Sequence, residues 1–138
     1  MSGRVIAIDY GLKRVGIAVT DPLRIIAKPL TTVENSEIER FLKEYIAKEN
    51  VSVIVLGEPY SESGELQQMQ IEVHKFAKKL QALFPQLSIV FEDERYTSRI
   101  AQRSLVEMGM KKSKRKDKKL LDTVSAALIL QTYLEKHP

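Results

Sequence analysis

Apolar residues follow two rhythms along this chain. Arg4–Tyr10 is an almost unbroken apolar run, and Arg14–Thr20 alternates through Val15, Ile17 and Val19; both patterns belong to strands. Only Gly11, Leu12 and Lys13 separate them, so a hairpin is expected, with Gly11 supplying the turn geometry. Ile25–Val33 reads as a third strand, and Pro29 within it, which has no backbone N–H, places it at a sheet edge. From Ser36 to Glu49 the rhythm changes. Ile38, Phe41, Leu42, Tyr45 and Ile46 recur at helical spacing, with Ser36 as the expected N-cap and Glu39 three residues further on.

Val51–Leu56 is nearly pure β-branched sequence, as in a strand covered on both faces. Gly57 ends it, and Glu58–Glu65 reads as a polar loop. Leu66–Phe84 is a second helix stopped ahead of Pro85, and Leu87–Phe91 is a fifth strand. A third helix is expected over Thr97–Met108, closed by Gly109, and a last one over Leu120–Glu135. Three strands followed by alternating helices and strands make a mixed α/β domain spanning residues 1–138, with the later strands joined by helical crossovers. In such sheets, chemistry gathers where loops converge at the carboxyl ends of the parallel strands.

Composition narrows the classes. A length of 138 residues suits one core, and 43% hydrophobic with 29% charged residues is globular rather than fibrous or disordered. No apolar stretch nears the ~18 residues of a membrane span. The run Val5–Ile8 stops at Asp9, too soon for a signal peptide, so a cytoplasmic location is expected. The chain has no cysteine, which excludes disulfides, thiolate metal sites and cysteine nucleophiles. The net charge of +4 is unevenly spread: Lys111–Lys119 carries seven Lys or Arg and one Asp, a local +6, which leaves −2 for the rest. Basicity confined to one stretch fits a single contact with a polyanion, and it also fits a solubilising loop.

Three acidic positions fall where burial makes charge expensive. Asp9 ends the first apolar strand, Asp93 and Glu94 follow the fifth, and Asp122 is the one charged residue between Leu120 and Leu134. A buried carboxylate costs several kcal/mol unless it is paired or binds a cation. Asp122 shares a helix face with Ser125, Ala126 and Ile129, and small residues there let the helix lie close to the sheet. Each acid also has a plain structural explanation: Asp9 in a turn, Glu94 solvated, Asp122 as a helix cap. Carboxylates without cysteine or histidine nearby suit hard cations, Mg²⁺ or Mn²⁺, and two such ions ~3.5–4 Å apart can drive phosphodiester cleavage. The two histidines, His74 and His137, lie on an exposed-looking helix and at the end of the chain, which argues against zinc. No phosphate-binding glycine loop or nucleophile elbow is present.

Asp9-Tyr10-Gly11-Leu12-Lys13-Arg14-Val15-Gly16-Ile17-Ala18-Val19-Thr20-Asp21 resembles the opening signature of the YqgF family, also called RuvX. Asp93-Glu94-Arg95-Tyr96-Thr97-Ser98 resembles its second signature, and the basic tract leading to Asp122 and then Ser125–Gln131 resembles its third. The blocks occur in the family's order over essentially the whole chain. The resemblance implies a ribonuclease-H-like fold, an α/β domain whose five-stranded mixed sheet is flanked by helices, with carboxylates at its centre. It implies a metal-dependent nuclease that matures the 5′ end of pre-16S ribosomal RNA, or, on the family's older assignment, a Holliday junction resolvase acting on branched DNA. It also implies Asp9, Glu94 and Asp122 as the acidic triad that binds Mg²⁺ or Mn²⁺. The choice of Glu94 over Asp93 rests on the resemblance alone. One departure is Glu58, where the family has an apolar residue; it is read as a loop charge, with a fourth ligand as the alternative.

The same stretches hold candidate substrate contacts. Lys13 and Arg14 flank Asp9 and Arg95 follows Glu94, so each can touch phosphates or pair with the neighbouring acids. Thr97 reads as the cap of the third helix. In the basic tract, Lys112, Lys114, Arg115 and Lys116 are expected to hold the nucleic-acid backbone. A non-catalytic nucleic-acid-binding module would keep the tract and need none of the acids.

Overall fold

The computed structural model describes residues 3–59, 64–94 and 118–137. The expected helix over Thr97–Met108, Arg95, and Lys112, Lys114, Arg115 and Lys116 lie outside the described residues.

Five strands, β1 (Arg4–Asp9), β2 (Arg14–Thr20), β3 (Ala27–Glu34), β4 (Val51–Glu58) and β5 (Ser88–Asp93), form one sheet in the order β3-β2-β1-β4-β5. β1, β2 and β3 are antiparallel neighbours, whereas β1, β4 and β5 run parallel. Helix α1 (Ile38–Lys48) and helix α2 (Gly64–Leu83) make the crossovers, and α3 (Lys118–Lys136) is the last described helix. None of the described helices is long and apolar enough to cross a membrane.

The two faces of the sheet differ in side-chain size, and this sets how closely each helix approaches. Ile6, Ile8, Ile17, Ile54 and Leu56 fill one face against Leu42 of α1 and Phe76 and Leu80 of α2. The opposite face carries Val5, Ala7, Ala18, Val53 and Val55, and packs on Ala126, Ile129, Leu130 and Tyr133 of α3. Small residues there let α3 press onto the sheet. At Gly16 an added Cβ would stand 2.2 Å from the backbone oxygen of Asp122, so any side chain at that position would push the helix away.

Several boundaries differ from the sequence expectation, each for a local reason. β3 starts at Ala27 rather than Ile25, because Asp21 Oδ1 accepts the backbone N–H groups of Ile25 and Ile26 at 2.8 and 2.7 Å and bends them into the loop. These hydrogen bonds hold the Asp21 carboxyl below its usual range. β3 does lie at the sheet edge, and it bulges next to Pro29: Ile17 pairs with Thr31 and Ala18 with Pro29, which leaves Leu30 over. A 3-10 turn at Asn35–Glu37 precedes α1, so the capping position is Glu37 and not Ser36. That turn also clasps the β1–β2 hairpin, since Asn35 donates to the carbonyls of Gly11 and Lys13, both at 2.8 Å. Gly11 does not have a positive φ; it is needed for space, because a Cβ would stand 2.5 Å from the Arg14 carbonyl. α2 starts at Gly64, α3 at Lys118, and β5 continues to Asp93.

Candidate active site

Alternation along the parallel strands decides which acids meet. Val5 and Ala7 face α3, and Asp9 continues their phase at the end of β1. On β5, Val90 packs on the α3 side, so Glu92 and Glu94 follow it there, while Asp93 falls in the phase of Ile89 on the other face and is exposed. Glu92 is buried and receives a 2.8 Å ion pair from Lys136, which anchors the end of α3. Glu94 goes to the site. Its carboxyl lies over Gly57, where an added Cβ would stand 2.2 Å from Glu94 Oε2 and 2.5 Å from Ile129 Cδ1. Gly57 is therefore the gap in β4 into which the Glu94 side chain fits.

Asp9 and Glu94 are joined by a side-chain hydrogen bond, and both carboxyls are raised far above their ordinary values. For Asp9, from 3.8 to about 7, the largest cause is desolvation; the charge of Asp122 adds to it and the bond from Glu94 opposes it. Glu94 is pushed from 4.5 to about 9, by desolvation first, then by the charge of Asp9, the hydrogen bond to Asp9 and the charge of Asp93. The bond lowers Asp9 and raises Glu94, so Glu94 carries the proton and donates it to Asp9. Two acids pressed together in a desolvated corner hold one proton in place of an external positive charge.

Asp122 stands close enough to act on Asp9, but its Oδ2 accepts from Arg14 Nε at 2.9 Å, with both side chains about a quarter exposed. Among the described residues, no three Asp, Glu, His or Cys side chains converge into a ready metal cage. Asp9 and Glu94 meet, while Asp122 is held by Arg14. The first turn of α3 is tied down: the Thr32 hydroxyl lies 2.6 Å from that of Thr123, and both hydroxyls bond the Lys119 carbonyl. Lys13 is exposed in the hairpin turn. Glu58 is not in the cluster; it continues the phase of Ile54 and Leu56 on the α2 side, where His74 Nε2 bonds its Oε2.

The sequence reading missed the packing roles of Gly16 and Gly57 and the pairing of Glu58 with His74. A glycine inside a strand marks close backbone approach, so the first two had a readable signal. The pair had none, because only the packing of α2 on β4 brings it together.

The model of the family described as RuvX: Holliday junction resolvase matches residues 3–136. The chain belongs to the RuvX family. Among its relatives, a protein of Porphyromonas gingivalis is 49% identical over 96% of this chain and 96% of the relative. One of Amoebophilus asiaticus is 48% identical over 98% and 96% respectively. Both are named as candidate pre-16S rRNA nucleases. Among solved structures, RuvC of T. thermophilus in complex with Holliday junction substrate is similar with a TM-score of 0.59 at 17% identity, covering 98% of this chain and 96% of that one. The resolvase of fowlpox virus bound to junction DNA has a TM-score of 0.54 at 14% identity, covering 96% of this chain and 97% of that one. These likenesses establish the ribonuclease-H-like fold for this RuvX chain.

Proposed function

We propose that this RuvX chain is a divalent-metal-dependent endonuclease that cuts a ribosomal RNA precursor at the 5′ end of the 16S sequence, in the cytoplasm. The observation that carries the reading is the Asp9–Glu94 pair, two desolvated carboxyls sharing a proton at the carboxyl ends of β1 and β5. Family membership supports nuclease chemistry, and the names of the relatives support an RNA substrate.

The donor set fits Mg²⁺ or Mn²⁺. It is oxygen only, partly preformed, and electrostatically short of positive charge. When bound, a divalent cation supplies the charge that activates water and stabilises the leaving oxygen in phosphodiester cleavage. Asp9 and Glu94 would hold it after losing their shared proton, with Asp122 as the third ligand once Arg14 releases it. Arg14 is then free to turn to a substrate phosphate, as a guanidinium suited to bidentate contact. Lys13, Arg95 and the tract with Lys112, Lys114, Arg115 and Lys116 are assigned to the flanking backbone, where phosphate contacts position without specifying sequence.

Cleavage of four-way DNA junctions is the second reading, with which the family description is consistent. Incubation with a precursor RNA spanning the 5′ end of the 16S sequence, and separately with a four-way junction, distinguishes them. With Mg²⁺ or Mn²⁺ the RNA should be cut to a defined end, and EDTA should stop the reaction. Resolution of the junction with the RNA left intact would transfer the assignment to DNA. Undiminished RNA cleavage in EDTA would remove the metal from the account.

A further inference from the structure

A groove lies between α2 and the β4–β5 edge, on the face of the sheet opposite the acids. On α2, Ile71, His74, Lys75 and Lys78 recur at helical spacing and form one exposed stripe. Two hollows adjoin it, one of about 580 Å³ and one of about 290 Å³, and His74 and Lys78 line both. The floor is apolar and open, with Ile71 49% and Phe91 38% exposed. The imidazole of His74 stacks on the Phe91 ring at 4.4 Å and 24° while bonding Glu58, so the aromatic pair is held in a fixed orientation. Lysines rim an aromatic floor.

Glu58, which lines the larger hollow, links the groove to the acidic pair through the backbone. The Glu94 N–H donates to the Glu58 carbonyl at 3.2 Å, so the end of the groove is one backbone hydrogen bond from the Asp9–Glu94 site. An exposed ring pair flanked by exposed ammonium groups, of which Lys75 also pairs with Glu72 at 3.7 Å, matches the chemistry of an unpaired nucleotide strand, whose bases stack while its phosphates meet cations. A folded protein partner would more commonly meet arginine and buried apolar anchors than a lysine rim.

We propose that the α2–β5 groove binds the single-stranded nucleic acid flanking the cleavage position, with a base stacked on the Phe91–His74 pair and phosphates on Lys75 and Lys78. The strand would reach the acids by crossing the carboxyl end of β4. This inference rests on the nuclease reading only for the location of the cut; strand binding itself needs no catalysis.

The test measures binding of a labelled single-stranded RNA dodecamer to the full chain in EDTA, by fluorescence anisotropy at several salt concentrations. Phe91→Leu keeps apolar volume and removes the stacking face, so affinity should fall about tenfold, within the range of one lost base stack. Phe91→Tyr should restore it. Lys75→Gln with Lys78→Gln should weaken binding and reduce the slope of log affinity against log salt by about 1.4, two single-strand phosphate contacts. Melting temperatures of all variants, read in parallel, should match the parent chain. Unchanged affinity and salt slope in both Phe91→Leu and the double lysine variant would overturn the proposal, as would equal weakening by Phe91→Leu and Phe91→Tyr. If the parent chain cuts neither RNA nor junction but these variants lose RNA as described, the groove stands and the nuclease reading falls.

Discussion

Asp9→Asn and Glu94→Gln should each reduce cleavage by roughly a thousandfold or more, a barrier increase of about 4 kcal/mol, while RNA binding and the fold survive. Both amides are nearly isosteric with the acids, so packing is preserved, including that of the Glu94 side chain over Gly57. What is lost is anionic oxygen at the proposed cation position, which a neutral amide replaces poorly. Asp122→Asn should also lose most activity, and it additionally turns the 2.9 Å ion pair with Arg14 into a weaker contact with a neutral acceptor. Single-turnover assays at saturating enzyme separate the chemical step from binding. Near-parental cleavage by Asp9→Asn would sink the proposed mechanism. Loss with Asp93→Asn but not with Glu94→Gln would reassign the second acid against the side-chain phase seen on β5.

The second large effect is on stability, and its direction is opposite to that of a salt-bridged acid. In the unfolded chain both carboxyls ionise near their ordinary values of about 4, whereas in the folded protein Asp9 is raised to about 7 and Glu94 to about 9. A raised folded value means that the native state binds more protons. The stability contributed by the protonated pair is therefore fully present below the unfolded values, and is lost as pH rises through about 7 and then about 9. In EDTA, the melting temperature of the parent chain should fall between about pH 5 and about pH 9 more steeply than that of Glu94→Gln, which stays neutral throughout. At the alkaline end Glu94→Gln should be the more stable protein, by roughly 3–5 °C for each kcal/mol of relieved repulsion and desolvation. Thermal scans across that range check it; parallel curves for the two proteins would show that the pair is not desolvated.

Local pattern carried much of this fold, and what it missed has identifiable causes. Strong periodicity placed the strands and α1, because burial on a sheet or against a helix leaves a rhythm that composition cannot hide. Ile25 and Ile26 read as strand on the same rule, yet they belong to a loop, where the Asp21 carboxylate accepts their N–H groups. At the site, Asp9 stood out as an acid ending an apolar run. Choosing between Asp93 and Glu94 needed the phase of β5, and that phase is visible only once the strand is seen to continue past Phe91 to Asp93. Glu58 illustrates the limit. Its partner His74 lies 16 positions away on α2, and no local rule links the two. Arg14 had two readings, phosphate contact or pairing with the neighbouring Asp9; its bond goes instead to Asp122, 108 positions further along the chain.

The proposed Asp9–Glu94 cation site holds a proton when no cation is bound. This is tested most directly by titrating Mn²⁺ into the parent chain and into Asp9→Asn by calorimetry, in two buffers of different ionisation enthalpy at about pH 8. The parent chain should bind Mn²⁺ and release a proton, because a ligating carboxylate must first be deprotonated, and Asp9→Asn should bind at least tenfold more weakly. Equal affinity and equal proton release in the two proteins would contradict the account.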